Sequence, residues 1–278
     1  MHDDNYLITR FGVRMPKIIY GTAWKKDSTE GLVELAVTLG FRGIDTACQP
    51  KHYHEPGVGA GLASGLARSE LYLQTKFTPF DGQDPKRIPY DPEAELSLQV
   101  EQSVATSLSN LRTDYLDCLI LHSPYAQEWQ TMEVWQAMES LFNEGVVKQL
   151  GISNCYQLET LENICRKASI TPAVLQNRFY PSTHYDRAIR EFCRRNQIQY
   201  QGFWTLTANP HILGHDRVSG LAEQYARTTE QIFYRFLTQT DVIPLIGTTS
   251  EAHMREDLAI FEFTLTQGEC DAVARLLI

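Results

Sequence analysis

The chain has 278 residues, a formal net charge of −9, 43% hydrophobic residues and 21% charged residues. This composition is ordinary for a globular protein and allows one large domain. The negative charge repels the phosphates of DNA and RNA, so we expect no nucleic-acid partner. Residues 1–12 do not resemble a signal peptide and no apolar run is long enough to cross a membrane, which predicts a cytoplasmic location.

Short apolar runs recur along the chain and predict eight β-strands. Several runs are nearly continuous in apolar residues, as strands buried on both faces are. The predicted strands are residues 17–22, 41–45, 71–76, 115–122, 147–153, 173–177, 198–204 and 241–247.

Amphipathic stretches between these runs predict helices. Thr228 with Gln231, and Thr266 with Glu269, have the spacing of capping boxes at helix starts. The predicted helices are residues 29–39, 98–111, 131–144, 155–168, 184–196 and 228–238.

The alternation of strands and helices predicts a (β/α)8 TIM barrel rather than a doubly wound sheet. No linker divides residues 1–278, so a single domain is expected. Gly12 and Pro16 indicate an N-terminal β-hairpin that closes the bottom of the barrel. Two long loops, residues 77–97 and 205–216, follow strands and should run over the top face, where barrel enzymes carry their sites.

Four titratable residues, Asp45, Tyr53, Lys76 and His122, lie at or just beyond the ends of predicted strands. A lysine ammonium stabilises phenolate and so makes a tyrosine a better proton donor, and an aspartate can orient that lysine. A histidine can donate a hydrogen bond to a carbonyl oxygen. This combination suits protonation of a carbonyl oxygen, and it favours one catalytic cluster on the top face.

Several motifs carry a family resemblance along nearly the whole chain: GIDTA (43–47), LQTK (73–76), YLDCLILHSP (115–124), VKQLGISN (147–154) and AVLQN (173–177). The chain resembles the aldo-keto reductases, as a short, fungal-like member. The resemblance implies a barrel enzyme that reduces aldehydes or ketones to alcohols with NAD(P)H. It implies Tyr53 as general acid, Lys76 and Asp45 as the partners that lower its pKa, and His122 as the residue that orients the carbonyl.

The same resemblance implies a set of cofactor contacts. Ser153, Asn154 and Gln176 would bind the nicotinamide carboxamide, whose amide needs both donors and acceptors. The remaining implied contacts are Phe203 stacked on the nicotinamide, and Gly21 and Thr22 near the ribose and pyrophosphate. Independently of the resemblance, Gly247 and Thr248 could bind a phosphate at a helix N-terminus, and Arg255 is the nearest cation.

The sequence departs from the family pattern in four places. Tyr53 lies further along the chain from Asp45 than usual, in the segment DTACQPKHYHE (45–55). The same segment contains His52 and His54, which are rival candidates for an acid–base residue. Ser123 stands where the family commonly has a tryptophan, and we expect the family's long C-terminal loop to be missing after the final helix. Near the adenosine phosphate, Leu245 and His253 replace a lysine and an arginine, so NADP(H) is the preferred cofactor while NAD(H) stays open.

Other interpretations remain. An isomerase, dehydratase or cyclase could use the same tyrosine and histidine without redox chemistry, and a regulatory protein could keep the fold and bind the cofactor. The glycine-rich segment 57–65 lacks the spacing of a dinucleotide-binding loop and is expected to start a helix. The histidines near residue 53 lack zinc spacing and the six cysteines are scattered, so no metal and no disulfide are expected. We expect a small carbonyl substrate and a monomer or weak homo-oligomer.

Overall fold

Eight parallel strands close into a barrel in a computed structural model that describes residues 5–63 and 65–277. Each barrel strand pairs with the next one along the chain, and the last pairs with the first, so the predicted (β/α)8 barrel is confirmed. The barrel strands are β3 (Ile19–Gly21), β4 (Gly43–Asp45), β5 (Tyr72–Phe77), β6 (Cys118–Leu121), β7 (Leu150–Ser153), β8 (Val174–Arg178), β9 (Gln199–Phe203) and β10 (Val242–Ile246).

Helices surround the barrel and join its strands. They are α1 (Thr29–Leu39), α2 (Glu55–Gly61), α3 (Leu96–Leu111), α4 (Glu128–Asn143), α5 (Leu158–Lys167), α6 (Arg187–Arg195), α7 (Pro210–Leu213), α8 (Asp216–Tyr225), α9 (Thr229–Gln239), α10 (Glu251–Leu258) and α11 (Gln267–Ala274).

The predicted helices are all present, with some shifted ends. Helix α6 begins at Arg187 rather than at 184, because residues 184–186 adopt left-handed backbone angles, with φ of 49°, 54° and 50°. The loop 205–216 contains the short helix α7, and α8 was not predicted. Both predicted capping boxes are confirmed at the starts of α9 and α11.

A two-stranded antiparallel hairpin precedes the barrel, formed by β1 (Tyr6–Ile8) and β2 (Arg14–Pro16). Gly12 makes its turn with a φ of 77°, a conformation that glycine adopts without strain. Val13 and Met15 are buried among residues of the barrel interior. The hairpin therefore closes the bottom of the barrel, as predicted.

Gly59 and Gly61, in the glycine-rich part of the sequence, allow α2 to pack tightly against its neighbours. A methyl group on Gly59 would lie 2.1 Å from a backbone oxygen of α3, and one on Gly61 would lie 2.5 Å from a backbone oxygen of α1. The sequence predicted that this glycine-rich segment starts a helix. In the structure α2 begins two residues earlier, at Glu55. Its small residues serve helix packing. No helix among the described residues is both long and apolar enough to span a membrane.

Candidate active site

A buried ion pair lies at the top of the barrel, at the carboxyl ends of β4 and β5. Lys76 Nζ contacts both carboxylate oxygens of Asp45 at 2.7 Å and donates to the backbone oxygen of Thr46 at 2.8 Å. Both side chains are nearly inaccessible, at 1% and 4% exposed. Burial is the largest single influence and lowers the pKa of Lys76, but the charges and hydrogen bonds of Asp45 and Tyr53 together outweigh it, and the pKa is raised. Lys76 is therefore a fixed cation.

Tyr53 reaches this ion pair in spite of its distance along the chain. The backbone amides of His52 and Tyr53 donate to the carbonyl of Gln49 at 3.2 and 3.1 Å, and this turn folds the inserted segment back over the barrel. The centroid of the Tyr53 ring lies 5.1 Å from Lys76 Nζ. Burial raises the pKa of Tyr53, while the positive charge of Lys76 acts in the opposite direction. The phenol therefore stays protonated beside a cation.

His122, directly after β6, lies against Tyr53 with 6.1 Å between the ring centroids. Burial, together with the charges of Lys76 and His52, lowers the pKa of His122 to about 3, so the ring is neutral near pH 7. Its Nδ1 lies 2.7 Å from Thr78 Oγ1. If the hydroxyl donates to Nδ1, the ring proton resides on Nε2, where it can be donated to a ligand.

The two rival histidines make other contacts, although His52 lies near enough to lower the pKa of His122. The ring of His52 stacks on Trp24 with 3.9 Å between centroids, and its carbonyl accepts from the Trp24 amide at 2.7 Å. His54 is exposed at the start of α2. Within residues 5–63 and 65–277, no group of three or more His, Cys, Asp or Glu side chains could hold a metal ion.

A layer of glutamines under the ion pair was not anticipated. Gln74 and Gln176 donate to Asp45 Oδ1 at 2.7 and 3.0 Å, and both donate to the amide oxygen of Gln201 at 2.8 and 3.0 Å. Tyr72 donates to the oxygen of Gln74 at 3.0 Å. Because these amides satisfy each other, they hold the Asp45 carboxylate in one orientation. The sequence signal that could have predicted this layer is the presence of glutamines at inward positions of otherwise apolar strands.

The residues expected at the carboxamide lie on, or directly after, the neighbouring strands β7, β8 and β9. Ser153 donates to the backbone oxygen of Gln176 at 2.7 Å, and Asn154 donates to the backbone oxygen of His122 at 2.9 Å. Since the Gln176 amide nitrogen already serves Asp45 and Gln201, its oxygen is the atom left for a ligand. Phe203 is half-buried at the end of β9. This set offers an acceptor oxygen and an aromatic face to a flat amide-bearing ring, while the donors of Ser153 and Asn154 already bond other groups of the protein.

The residues expected at the phosphates lie around the end of β10 and the start of α10. Tyr20 donates to the backbone oxygen of Thr248 at 2.9 Å. The ammonium of Lys25, which sequence reasoning missed, bonds the carbonyl of Gly247. Arg255 is held by Glu251 at 2.7 Å on the exposed face of α10. A cation, a helix N-terminus and hydroxyls therefore adjoin one another, and each of these features favours phosphate binding.

Two of the expected cofactor contacts serve the barrel itself. Thr22 is fully buried, and its amide and hydroxyl both donate to the backbone oxygen of Asp45, at 3.0 and 2.9 Å. Gly21 lies so close to β10 that a methyl group would be 3.2 Å from the backbone oxygen of Ile246. Thr22 thus offers no side-chain donor to a ligand.

A parallel (β/α)8 barrel with this constellation at its carboxyl rim belongs to the class of barrel enzymes, and comparison with known proteins narrows the class. The chain belongs to the Aldo/keto reductase family, whose sequence model matches residues 17–278. Its relatives include two proteins of Bacillus subtilis (strain 168). The uncharacterized oxidoreductase YtbE is 30% identical over 95% of this chain and 90% of its own length, and a glyoxal reductase is 29% identical with the same coverage.

Solved structures agree with this assignment. An aldo/keto reductase from Brucella melitensis is 28% identical, covers 98% of both chains and has a TM-score of 0.82. A mutant of Gox0644 in complex with NADPH is 28% identical, covers 98% of this chain and 93% of its own, and also has a TM-score of 0.82. The protein is an NAD(P)H-dependent oxidoreductase of this family. Neither the non-redox enzyme nor the regulatory protein is favoured.

Proposed function

We propose that the protein reduces the carbonyl group of a small aldehyde or ketone to an alcohol at the site formed by Asp45, Lys76, Tyr53 and His122. The observation that carries this proposal is the contact of Tyr53 with both the buried Lys76–Asp45 pair and His122. A carbonyl oxygen between the phenol and the imidazole would meet two neutral donors. Glyoxal is the first substrate to test, because one relative is named a glyoxal reductase.

Tyr53 acts as the general acid in this proposal. As negative charge develops on the substrate oxygen, the phenol transfers its proton, and the phenolate that results faces the Lys76 ammonium. Electrostatic attraction between them stabilises the charge that forms on Tyr53 during the transfer. Asp45 contributes through Lys76 by holding the ammonium charged and in place.

His122 orients the substrate oxygen. With a pKa of about 3 the ring does not act as an acid near neutral pH, so it donates a hydrogen bond from Nε2 without giving up the proton. Thr78 fixes the ring by its contact at Nδ1. The proton therefore comes from the phenol.

NADPH, when bound, supplies the hydride that the carbonyl carbon receives. Asn154 and Gln176 would bind the carboxamide and Phe203 would lie against the ring, while Lys25 and the start of α10 would meet the phosphates. The complex of a Gox0644 mutant with NADPH supports the choice of NADPH over NADH. Cytoplasmic location and a monomeric or weakly oligomeric state remain predictions from the sequence.

The test compares the natural chain with Tyr53→Phe and, as a matched control, Tyr115→Phe near the bottom of the barrel. We expect glyoxal-dependent loss of NADPH absorbance in the natural chain and the control. In Tyr53→Phe the rate should fall by about a hundredfold or more, since general acid catalysis contributes that much. NADPH binding, followed by fluorescence, should stay within about threefold in both variants. Undiminished turnover in Tyr53→Phe would reject the assignment.

A further inference from the structure

Arg178, the last residue of β8, faces the mouth of the barrel. Side chains of a strand alternate between its two faces. Gln176 turns inward to Asp45, at 3.0 Å, and Asn177 turns outward to Asp186, at 2.7 Å. Arg178 therefore shares the inward face with Gln176 and lies about 7 Å nearer the mouth, at the rise of two strand residues.

The guanidinium of Arg178 lies against two aromatic rings but forms no ion pair. Its central carbon lies 4.0 Å from the centroid of the Trp204 ring and 5.2 Å from that of Tyr180. Its Nε atom is buried without a hydrogen-bond partner. In the described part of the chain, no carboxylate or other acceptor bonds this guanidinium. Arg178 is thus a half-buried cation whose charge is not neutralised within the protein.

Trp204 is held in an unusual conformation beside this cation. Its φ is 59°, in the left-handed region that costs a non-glycine residue of order 1–3 kcal/mol, and it is 52% exposed. The indole covers Arg178 instead of entering the core. Contact with aromatic faces fixes the plane of a guanidinium while its N–H edge stays free to bind an oxyanion in bidentate geometry.

A chain of hydrogen bonds along the rim relates Arg178 to the proposed reaction centre. The Arg178 amide donates to the Tyr156 hydroxyl at 3.1 Å, and that hydroxyl donates to Asn154 at 3.2 Å. Asn154 in turn donates to the backbone oxygen of His122 at 2.9 Å. Arg178 also pairs in register with Phe203 on β9. Arg178 therefore adjoins the region where ring and carbonyl would meet.

We propose that Arg178 binds a carboxylate carried by the carbonyl substrate, so that the preferred substrates are oxo acids or aldehydes with an acid group. The inference rests on the proposed carbonyl reduction. The phosphate-binding features, Lys25 and the start of α10, lie on the opposite side of β9, near β10 and β3. A chain of net charge −9 repels anions, so a carboxylate substrate needs a local cation of this kind.

The test uses two pairs of probes, each an acid and its methyl ester: 4-carboxybenzaldehyde with methyl 4-formylbenzoate, and pyruvate with methyl pyruvate. The variants are Arg178→Met, Arg178→Lys and the control Arg217→Met, an exposed arginine of α8 that gives the same change in net charge. The measurements are kcat/KM for each probe, the Kd for NADPH, and binding of 4-methylbenzoate, which cannot be reduced, by calorimetry.

For at least one pair, the natural chain should prefer the acid to its ester. Arg178→Met should lower kcat/KM for that acid by about tenfold to a hundredfold, the value of a hydrogen-bonded charge. In Arg178→Met, kcat/KM for the ester and the Kd for NADPH should change by less than about threefold. For the acid, kcat/KM of Arg178→Lys should lie between the values of the natural chain and Arg178→Met, and Arg217→Met should match the natural chain.

Two results would overturn the proposal. Equal losses for acid and ester, with weaker NADPH binding, would assign Arg178 to a cofactor phosphate instead. If Arg178→Met keeps the preference of the natural chain for the acid over the ester, Arg178 does not bind the substrate carboxylate. If neither the probes nor glyoxal is reduced, the proposed function fails, and 4-methylbenzoate binding that depends on Arg178 still reports on the carboxylate site by itself.

Discussion

Replacing Lys76 by methionine should destabilise the barrel, because Asp45 would then be a buried carboxylate without its cation. The two side chains are 1% and 4% exposed and meet at 2.7 Å. Removal of one partner of a buried ion pair costs about 3–5 kcal/mol in the free energy of unfolding. Gln74 and Gln176 would still donate to Asp45, at 2.7 and 3.0 Å, so we expect about 3 kcal/mol, the lower end of that range.

Urea unfolding followed by circular dichroism measures this loss. The double variant Lys76→Met with Asp45→Asn removes both charges, so its loss of stability should be smaller than the sum of the two single losses. Lys167→Met is the matched control, because Lys167 pairs with Glu128 where the two side chains are 51% and 48% exposed. Loss of such a surface pair should cost under about 1 kcal/mol.

Two results would contradict the coupling of Lys76 and Asp45. If Lys76→Met unfolds at the same urea concentration as the surface control, Asp45 is not a buried charge that needs Lys76. If the double variant loses as much stability as the two single variants together, the two residues are not energetically coupled.

Three further predictions concern the imidazole, the glutamine layer and helix packing. Since the pKa of His122 falls from 6.5 to about 3 on folding, only the unfolded chain takes up its proton as the pH drops between those values. Stability should therefore decrease with falling pH in that window, and less steeply in His122→Asn; parallel stability curves would contradict this. Gln74→Leu should lose about 1–3 kcal/mol of stability and lower kcat, because Asp45 loses a donor while buried amides lose partners. Full activity with normal stability in Gln74→Leu would disprove that Gln74 holds the Asp45 carboxylate in place. Gly59→Ala should cost about 1–3 kcal/mol, whereas Gly31→Ala, with nothing within 4 Å, should be neutral or stabilising in thermal unfolding. Equal effects of the two substitutions would show that α2 is not packed as described.

The barrel was predictable from sequence because its strands are short apolar runs at regular spacing, separated by amphipathic helices. Asp45, Lys76 and His122 could be placed because they stand at or directly after strand ends, and parallel strands bring those ends to one rim. The position of Tyr53 could not be derived in the same way. It depends on the turn at Gln49, which is a property of the folded segment rather than of strand spacing.

Other parts of the site depend on contacts between distant segments. Lys25 and Gly247 meet only because β3 and β10 close the barrel. The glutamine layer was only partly predictable. Gln74 and Gln201 stand out in the sequence as polar residues in apolar strands, but the sequence does not show that they bond each other. A polar residue in a buried strand predicts that a partner exists, and only the three-dimensional arrangement identifies it.

The central claim is that the site transfers a hydride to a carbonyl carbon while Tyr53 protonates the oxygen. The most direct measurement follows deuterium from NADPH labelled at nicotinamide C4, using both epimers, into the product formed from glyoxal. We expect one deuterium on the former carbonyl carbon with one of the epimers, and almost none of this product with Tyr53→Phe. A product formed without deuterium from either epimer, or without oxidation of NADPH, would contradict it.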